Sequence, residues 1–330
     1  MKSTLLTFLA IAITFNGLAQ KSSKKASIVF YNVENLFDIE NDSTTFDDDF
    51  TPEGKKEWTL ERYNKKLTDL ASVIYAANDN DAPDLIGLCE VENKKVVEDL
   101  MNSGDLGSGG YAVIHEDSPD RRGIDVAFAY KRNVFRYMEH QAYSIYYKEE
   151  PETTTRDILH VKGMMYGAET HVFVNHWSSR RGGQEASEFK RLKAASILRG
   201  KADSVLVSNP TAMIIAMGDF NDHPDNKSMT NMLDSDPDGI GPLRNLAYQM
   251  QMDSLGTYNY KGVWGMLDQF LVSKNIERDG SAKFEMSIYK DPSILYEDPK
   301  KGPVPNRTYA GPKYVAGFSD HLPIKLEIAY

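Results

Sequence analysis

Asp219 and Asn221, in Gly218-Asp219-Phe220-Asn221, close an apolar run from Ala212 to Met217, and about a hundred residues later Ser319-Asp320-His321 precedes the last apolar run. Together these positions offer a carboxylate for a hard cation, an imidazole that can move a proton, and a neutral amide donor. Hydrolysis of a phosphate ester needs those three things, because charge develops on oxygens while water attacks. Each pair also has a plainer reading: an Asx turn after a strand for Asp219 and Asn221, a salt-linked turn for Asp320 and His321. Glu90 follows Leu85-Ile86-Gly87-Leu88-Cys89 and is expected at the end of a buried strand. An unpaired carboxylate is expensive there, and ligating a metal removes that cost. His176 closes another apolar run and could donate to a phosphate oxygen, or be a satisfied core histidine. Arg156 could fork onto a phosphate or make an ion pair, and Arg121-Arg122 and Arg180-Arg181 are local positive charge or solvated pairs.

Elements must bring these groups together. Apolar β-rich runs recur at 28–33, 85–91, 124–130, 158–165, 170–177, 212–220, 267–272 and 324–328. Tyr63, Leu67, Leu70 and Ile74 recur at helical spacing after a cap at Thr59, and Phe189, Leu192, Ala195 and Leu198 do so after Gly182-Gly183. Strands and helices therefore alternate, and Asn32, Glu90, His176, Asp219 and Asp320 sit at or near strand ends, the edge where sites assemble in layered α/β proteins. A polar residue ends almost any strand, but five of complementary chemistry make a pattern. Residues 103–110 read as a surface loop, and 291–314 as a long functional loop.

Composition narrows the classes. The 330 residues are 41% apolar, enough for one large core. Cys89 is the only cysteine and falls in an apolar run, which excludes a disulfide framework and a thiolate metal site. The net charge of −10 repels polyanions, so a phosphate-rich substrate must be held locally. Lys2, an uncharged run of about eleven residues from Leu5 to Phe15, and Gly17-Leu18-Ala19 read as a signal peptide over residues 1–19. The run falls short of the roughly twenty residues that span a bilayer. The expectation is one catalytic domain over 20–330, exported to the periplasm or the medium, monomeric and with no stable membrane anchor. No Gly-Lys-Ser/Thr phosphate loop, His-Glu-x-x-His zinc helix or Gly-x-Ser-x-Gly elbow is present.

In order, Tyr31-Asn32-Val33-Glu34-Asn35, Leu88-Cys89-Glu90, Arg122-Gly123-Ile124-Asp125, Asn175-His176-Trp177, Gly218-Asp219-Phe220-Asn221, Leu267-Asp268-Gln269-Phe270 and Ser319-Asp320-His321 resemble the endonuclease/exonuclease/phosphatase superfamily. The resemblance implies a four-layer α/β/β/α sandwich and a Mg²⁺-dependent phosphoesterase, with Mn²⁺ as an alternative ion; it leaves open whether a structural Ca²⁺ also binds. It implies Glu90 and Asp320 as metal ligands with Asn32 in or beside that shell, and His321 as the base oriented by Asp268. Asp219 and Asn221 would position the water, and His176 and Asn221 would stabilise the transition state. From their charge rather than from the resemblance, Arg156 and Arg122 are expected to hold substrate. Cys89 stands where Gln is common, and Gln269 where an aromatic residue is. The leading expectation is a nuclease cutting DNA or RNA. The runner-up is a phosphatase or phosphodiesterase acting on a small molecule or lipid headgroup, which the acidic surface favours. A third reading, a silent binding module, is opposed by the retention of Glu90, Asp219, Asp320 and His321.

Overall fold

Alternation along each strand decides which face meets which layer. In Ile28-Val29-Phe30-Tyr31, Ile28 and Phe30 enter one apolar cluster while Val29 and Tyr31 enter another, as the period of two dictates. The computed structural model describes residues 24–330, so the expected signal peptide lies outside the described residues. One sheet has the spatial order Lys283–Ile288, Ile324–Ala329, Lys25–Leu36, Leu85–Val91, Asp125–Lys131, Tyr111–His115. The other runs Phe135–Tyr143, Ile158–Met165, Ala168–His176, Met213–Asp219, Asp268–Ser273, Leu243–Asn245. Each sheet is antiparallel except for one central parallel pair: Lys25–Leu36 with Leu85–Val91, and Ala168–His176 with Met213–Asp219.

The two sheets pack face to face through Phe30, Phe128, Val172, Met217 and Phe270, with Cys89 a free thiol among them. Helices Leu60–Ala77 and Lys94–Met101 cover the outer face of the first sheet, and Gln184–Ser208 covers that of the second. This is the expected four-layer sandwich. Burying each large apolar side chain in these three clusters stabilises the fold by about 1.5–3 kcal/mol before the entropy of ordering it is subtracted. Gly87 lets the sheets close, since a Cβ there would meet the Met217 Sδ at 2.7 Å.

Helix Leu60–Ala77 starts at Thr59, whose side chain accepts from the Arg62 N–H at 3.4 Å, and buries Tyr63, Leu67, Leu70 and Ile74 as their spacing predicts. The run expected as one loop at 291–314 is instead a short turn and two hairpins, Leu295–Asp298 with Gly302–Pro305, and Tyr309–Ala310 with Lys313–Tyr314. Its strands are too short, and too rich in Pro, to show a period-two pattern. The segment expected as a surface loop at 103–110 forms a 3₁₀ helix, Gly104–Gly109, which buries Leu106. Among the described residues no helix is long and apolar enough to cross a membrane.

Across the outer face of the second sheet, Tyr143 Oη meets His160 Nδ1 at 3.2 Å, and His160 Nε2 meets His171 Nδ1 at 2.8 Å. Burial, then His171, pushes His160 down to about 3, and burial also lowers His171. Unfolded, both titrate near 6.5. The unfolded chain therefore binds protons first, so stability is full above that value and is lost as pH falls from it toward about 3. The urea midpoint is expected to drop between pH 7 and pH 5, and to drop less in His160→Phe. Equal drops in both proteins would place the titration elsewhere.

Candidate active site

The two parallel pairs end at the same edge of the sandwich. Asn32 and Glu90 arrive there from one sheet, and His176 and Asp219, paired across the parallel ladder, from the other. Asp268 enters its antiparallel strand opposite Asp219, and Asp320 and His321 enter theirs antiparallel to the Asn32 strand, so both reach the same edge. The layers meet where Asn32 Nδ2 donates to Asp219 Oδ2 at 3.1 Å.

Glu90 sits in a bulge. Cys89 pairs with Asn32 and Val126, Val91 pairs with Leu36 and Asp125, and Glu90 is left out of both ladders at φ 62°. Glu34, Asn35 and Asn221 are also left-handed, at φ 50°, 54° and 51°. Non-glycine residues hold such angles at a cost of about 1–3 kcal/mol each, and the cost concentrates where side chains are re-aimed. Here the bulge turns the Glu90 carboxylate toward the Asn35 N–H, which donates to Oε2 at 3.0 Å. Gly218 allows the neighbouring approach: a Cβ on it would lie 2.3 Å from the Asn175 carbonyl oxygen.

Asp219 Oδ2 is the hub of the site. Besides Asn32, it lies 3.8 Å from His321 Nε2 and 3.7 Å from His176 Nε2, and His176 Nε2 is 3.8 Å from Glu90 Oε1. His321 Nδ1 is anchored on Asp268 Oδ2 at 2.7 Å, leaving Nε2 to face Asp219. Asp219 Oδ1 accepts from the Asn221 N–H at 2.9 Å, so the Asx turn and the site are one structure. The Asn221 amide donates to the Trp177 carbonyl at 3.0 Å.

The buried charges push one another. Burial raises the Glu90 carboxyl, and Asp320 raises it further. Burial also lifts Asp219 to about 7, against the pull of His321. Burial opposes a charge on His321, but Asp268 and Asp219 outweigh it and hold its pKa well up. His176 is driven the other way, by burial and then by Arg156 and Arg122. The two imidazoles of one site are thus pushed in opposite directions.

The structure brings together Asn32, Glu90, His176, Asp219, Asn221, Asp268 and His321. Asp320 joins them electrostatically and pairs with Arg307 at 3.3 Å. Arg156 is buried, with its guanidinium on Asp120 Oδ2 at 3.1 Å and on the Trp177 carbonyl, whereas Arg122 reaches solvent from the other side of Asp120. Sequence reasoning missed Glu34, Lys66, Asp120, Tyr258 and Arg307. Lys66, only 2% exposed, donates from the helix to the carbonyls of Glu34 (2.8 Å) and Phe318 (3.2 Å) and to the Thr308 hydroxyl (2.6 Å). A lysine beside Leu67 within an apolar stripe was the available signal. Glu34 accepts from the Thr308 N–H at 2.6 Å and is raised to about 7 by burial and by Asp320. Tyr258 is bridged to His321, their ring centroids 4.8 Å apart.

Buried oxygens crowd this edge with few cations to balance them. Asp268 Oδ1 has no hydrogen-bond partner, nor has His176 Nδ1. Among the described residues, no Lys or Arg nitrogen pairs with Glu90 or Asp219 within 4.0 Å. Hard oxygen donors in excess fit a divalent cation such as Mg²⁺ better than a soft metal.

Similarity to known proteins agrees with this geometry. A model of the Endonuclease/Exonuclease/phosphatase family matches residues 27–330. The sequence matches no curated protein. Truncated Caenorhabditis elegans TDP2 superposes with a TM-score of 0.59 at 15% identity, over 93% of this chain and 98% of that one. D. rerio TDP2 complexed with single strand DNA product gives 0.57 at 13% identity, over 92% and 98%. A Bacteroides thetaiotaomicron mannosyl-6-phosphatase gives 0.56 at 17% identity, over 92% and 100%. At such identities these structures share the fold, while the match along almost the whole sequence decides membership: the chain belongs to the endonuclease/exonuclease/phosphatase family.

Proposed function

We propose that this protein is an exported, Mg²⁺-dependent nuclease that hydrolyses phosphodiester bonds of DNA or RNA. Its family supplies the coarser statement, a hydrolase acting on phosphoester bonds. The observation that carries the finer one is the hairpin Tyr258–Tyr260 with Val263–Gly265 beside His321. Tyr260 is exposed, Lys261 Nζ lies 5.1 Å from its ring centroid, and Lys290 Nζ lies 3.8 Å from that of Trp264. Aromatic faces next to ammonium groups suit unpaired bases and their phosphates, which explains how a chain of net charge −10 could hold a polyanion at one place. The D. rerio relative bound to single strand DNA product supports the same reading.

Glu90, Asp320 and Asn32 would hold the cation, which when bound polarises the phosphate and offsets its growing charge. The remaining work falls to the chain. Asp268 fixes the tautomer of His321 so that Nε2 faces Asp219 Oδ2 across 3.8 Å, a gap that a water can bridge. One of these two groups takes the water's proton. His176 and Asn221 are placed to donate to a phosphate oxygen, and the buried Arg156–Asp120 pair supports Arg122 at the mouth of the site.

The acidic surface and the mannosyl-6-phosphatase likeness favour a second reading, a small phosphoester as substrate. Export rests on the apolar amino-terminal run. The deciding assay is Mg²⁺-dependent cleavage of supercoiled plasmid and of single-stranded DNA by the protein from Gln20, with His321→Ala prepared identically. Cleavage by the native protein alone is expected. With both proteins folded and neither cutting DNA or RNA, while sugar phosphates are hydrolysed, the second reading replaces the first.

A further inference from the structure

We propose that Arg307 is the arginine that grips the substrate's phosphate in this site, held ready on the Asp320 carboxylate and released from it when a divalent cation engages that carboxylate. The inference rests on the proposed placing of the cation at Glu90 and Asp320, and it holds for any phosphoester substrate.

A phosphate whose oxygens gain charge is well met by a guanidinium, which offers parallel N–H donors in a fixed fork. Most arginines near the site are already committed. Arg156 is 5% exposed, on Asp120 and the Trp177 carbonyl, and Arg191 is fully buried on Asp222. Arg180 donates to the Asn221 carbonyl at 2.8 Å and to the Asn226 side chain at 2.7 Å. Arg122 and Arg307 are left, with 51% and 42% of their side chains exposed. They approach from different sides: Arg122 acts on Glu90 and His176, whereas Arg307 acts on Glu34 and Tyr258.

The backbone around Arg307 is fixed while its side chain is not. The Thr308 N–H donates to Glu34 Oε2 at 2.6 Å. Asn306 donates its N–H to the Ile294 carbonyl at 3.0 Å and accepts from the Phe318 N–H at 2.6 Å. Among the described residues, Asp320 is the one carboxylate within 4.0 Å of the guanidinium, at 3.3 Å. An ion pair this open to water is weak and yields to a competitor.

Beside the guanidinium there is room for a ligand. Glu34, Asn35, Lys56, Arg307, Thr308 and Tyr309 wall a cavity of about 230 Å³. It adjoins the proposed metal ligands at two points, since the Asn35 N–H donates to Glu90 Oε2 at 3.0 Å and Arg307 holds Asp320. Lys56 adds a second positive charge, its Nζ 4.3 Å from the Tyr309 ring centroid. Asp320 thus serves two cations in turn, and Arg307 couples the binding of metal to the binding of phosphate.

That coupling gives the test a sign that a merely structural arginine would not give. In the protein from Gln20, without substrate, Arg307→Gln should bind Mg²⁺ about two- to fivefold tighter by calorimetry, because a competitor for Asp320 is gone. With Mg²⁺ saturating, the same variant should bind inorganic phosphate about 10–100-fold more weakly, and lose a similar factor in kcat/KM on whichever phosphoester the native protein cleaves. Arg307→Lys should keep the native Mg²⁺ affinity and recover only part of the phosphate binding, since it keeps the charge without the fork. Mg²⁺ binding that is no tighter in Arg307→Gln would make Arg307 a prop for Asp320 and overturn the proposal. Unchanged phosphate binding, or native protein that binds no phosphate, would overturn it too. Phosphate as the probe keeps this result apart from the nuclease reading, which fails on its own if neither DNA nor RNA is cut. If Arg307→Gln does not fold, the two titrations of Arg307→Lys decide.

Discussion

Glu90→Gln should lower kcat/KM for Mg²⁺-dependent phosphoester hydrolysis by about a thousandfold, which is about 4 kcal/mol of transition-state stabilisation. The change keeps the shape of a side chain that a left-handed bulge aims into the site, and removes only its charge. The Asn35 N–H keeps an oxygen to donate to, so the bulge should persist. A second readout separates lost chemistry from lost structure. Glu90 is half-buried, is pushed up by Asp320, and has no Lys or Arg nitrogen within 4.0 Å among the described residues, so neutralising it should raise the Tm in chelator while weakening Mg²⁺ binding. A variant as active and as Mg²⁺-dependent as the native enzyme would remove Glu90 from the metal assignment.

Asp268→Asn should lower kcat by about 10²–10⁴-fold with little change in KM, because it leaves His321 in place but releases its tautomer. The strand position holds: Asp268 is fully buried, pairs opposite Asp219, and donates its N–H to the Thr257 hydroxyl at 3.2 Å. If the two residues work as one unit, His321→Ala and the double variant should be no worse than the more severe single change. Measuring kcat for all three settles the point. Losses that multiply in the double variant would mean that Asp268 and His321 act separately.

The chemistry was legible because strands bring it to one edge by a simple rule. Runs such as 85–91 and 158–165 match the observed strands to the residue, since their apolar content leaves no other way to bury them. Edge strands such as Phe135–Tyr143 and Lys283–Ile288 escaped notice because most of their side chains meet water and show no clean alternation. Helix Lys94–Met101 escaped because two turns hold too few residues to establish a period.

The sequence by itself determined the inventory: which carboxylates, imidazoles and amides end strands, in what order, and that a single Cys leaves the fold to its core. Tertiary structure decided the rest, because contacts between residues hundreds of positions apart leave no local pattern. Only the closed sandwich joins Asn32 to Asp219, 187 positions away, and Lys66 to Thr308, 242 away. It also decided that Arg156 is a buried partner of Asp120, and that Arg307 reaches Asp320. Charge and spacing can name the groups of a site, but burial sets their energies, and burial exists only once both sheets and their helices have met.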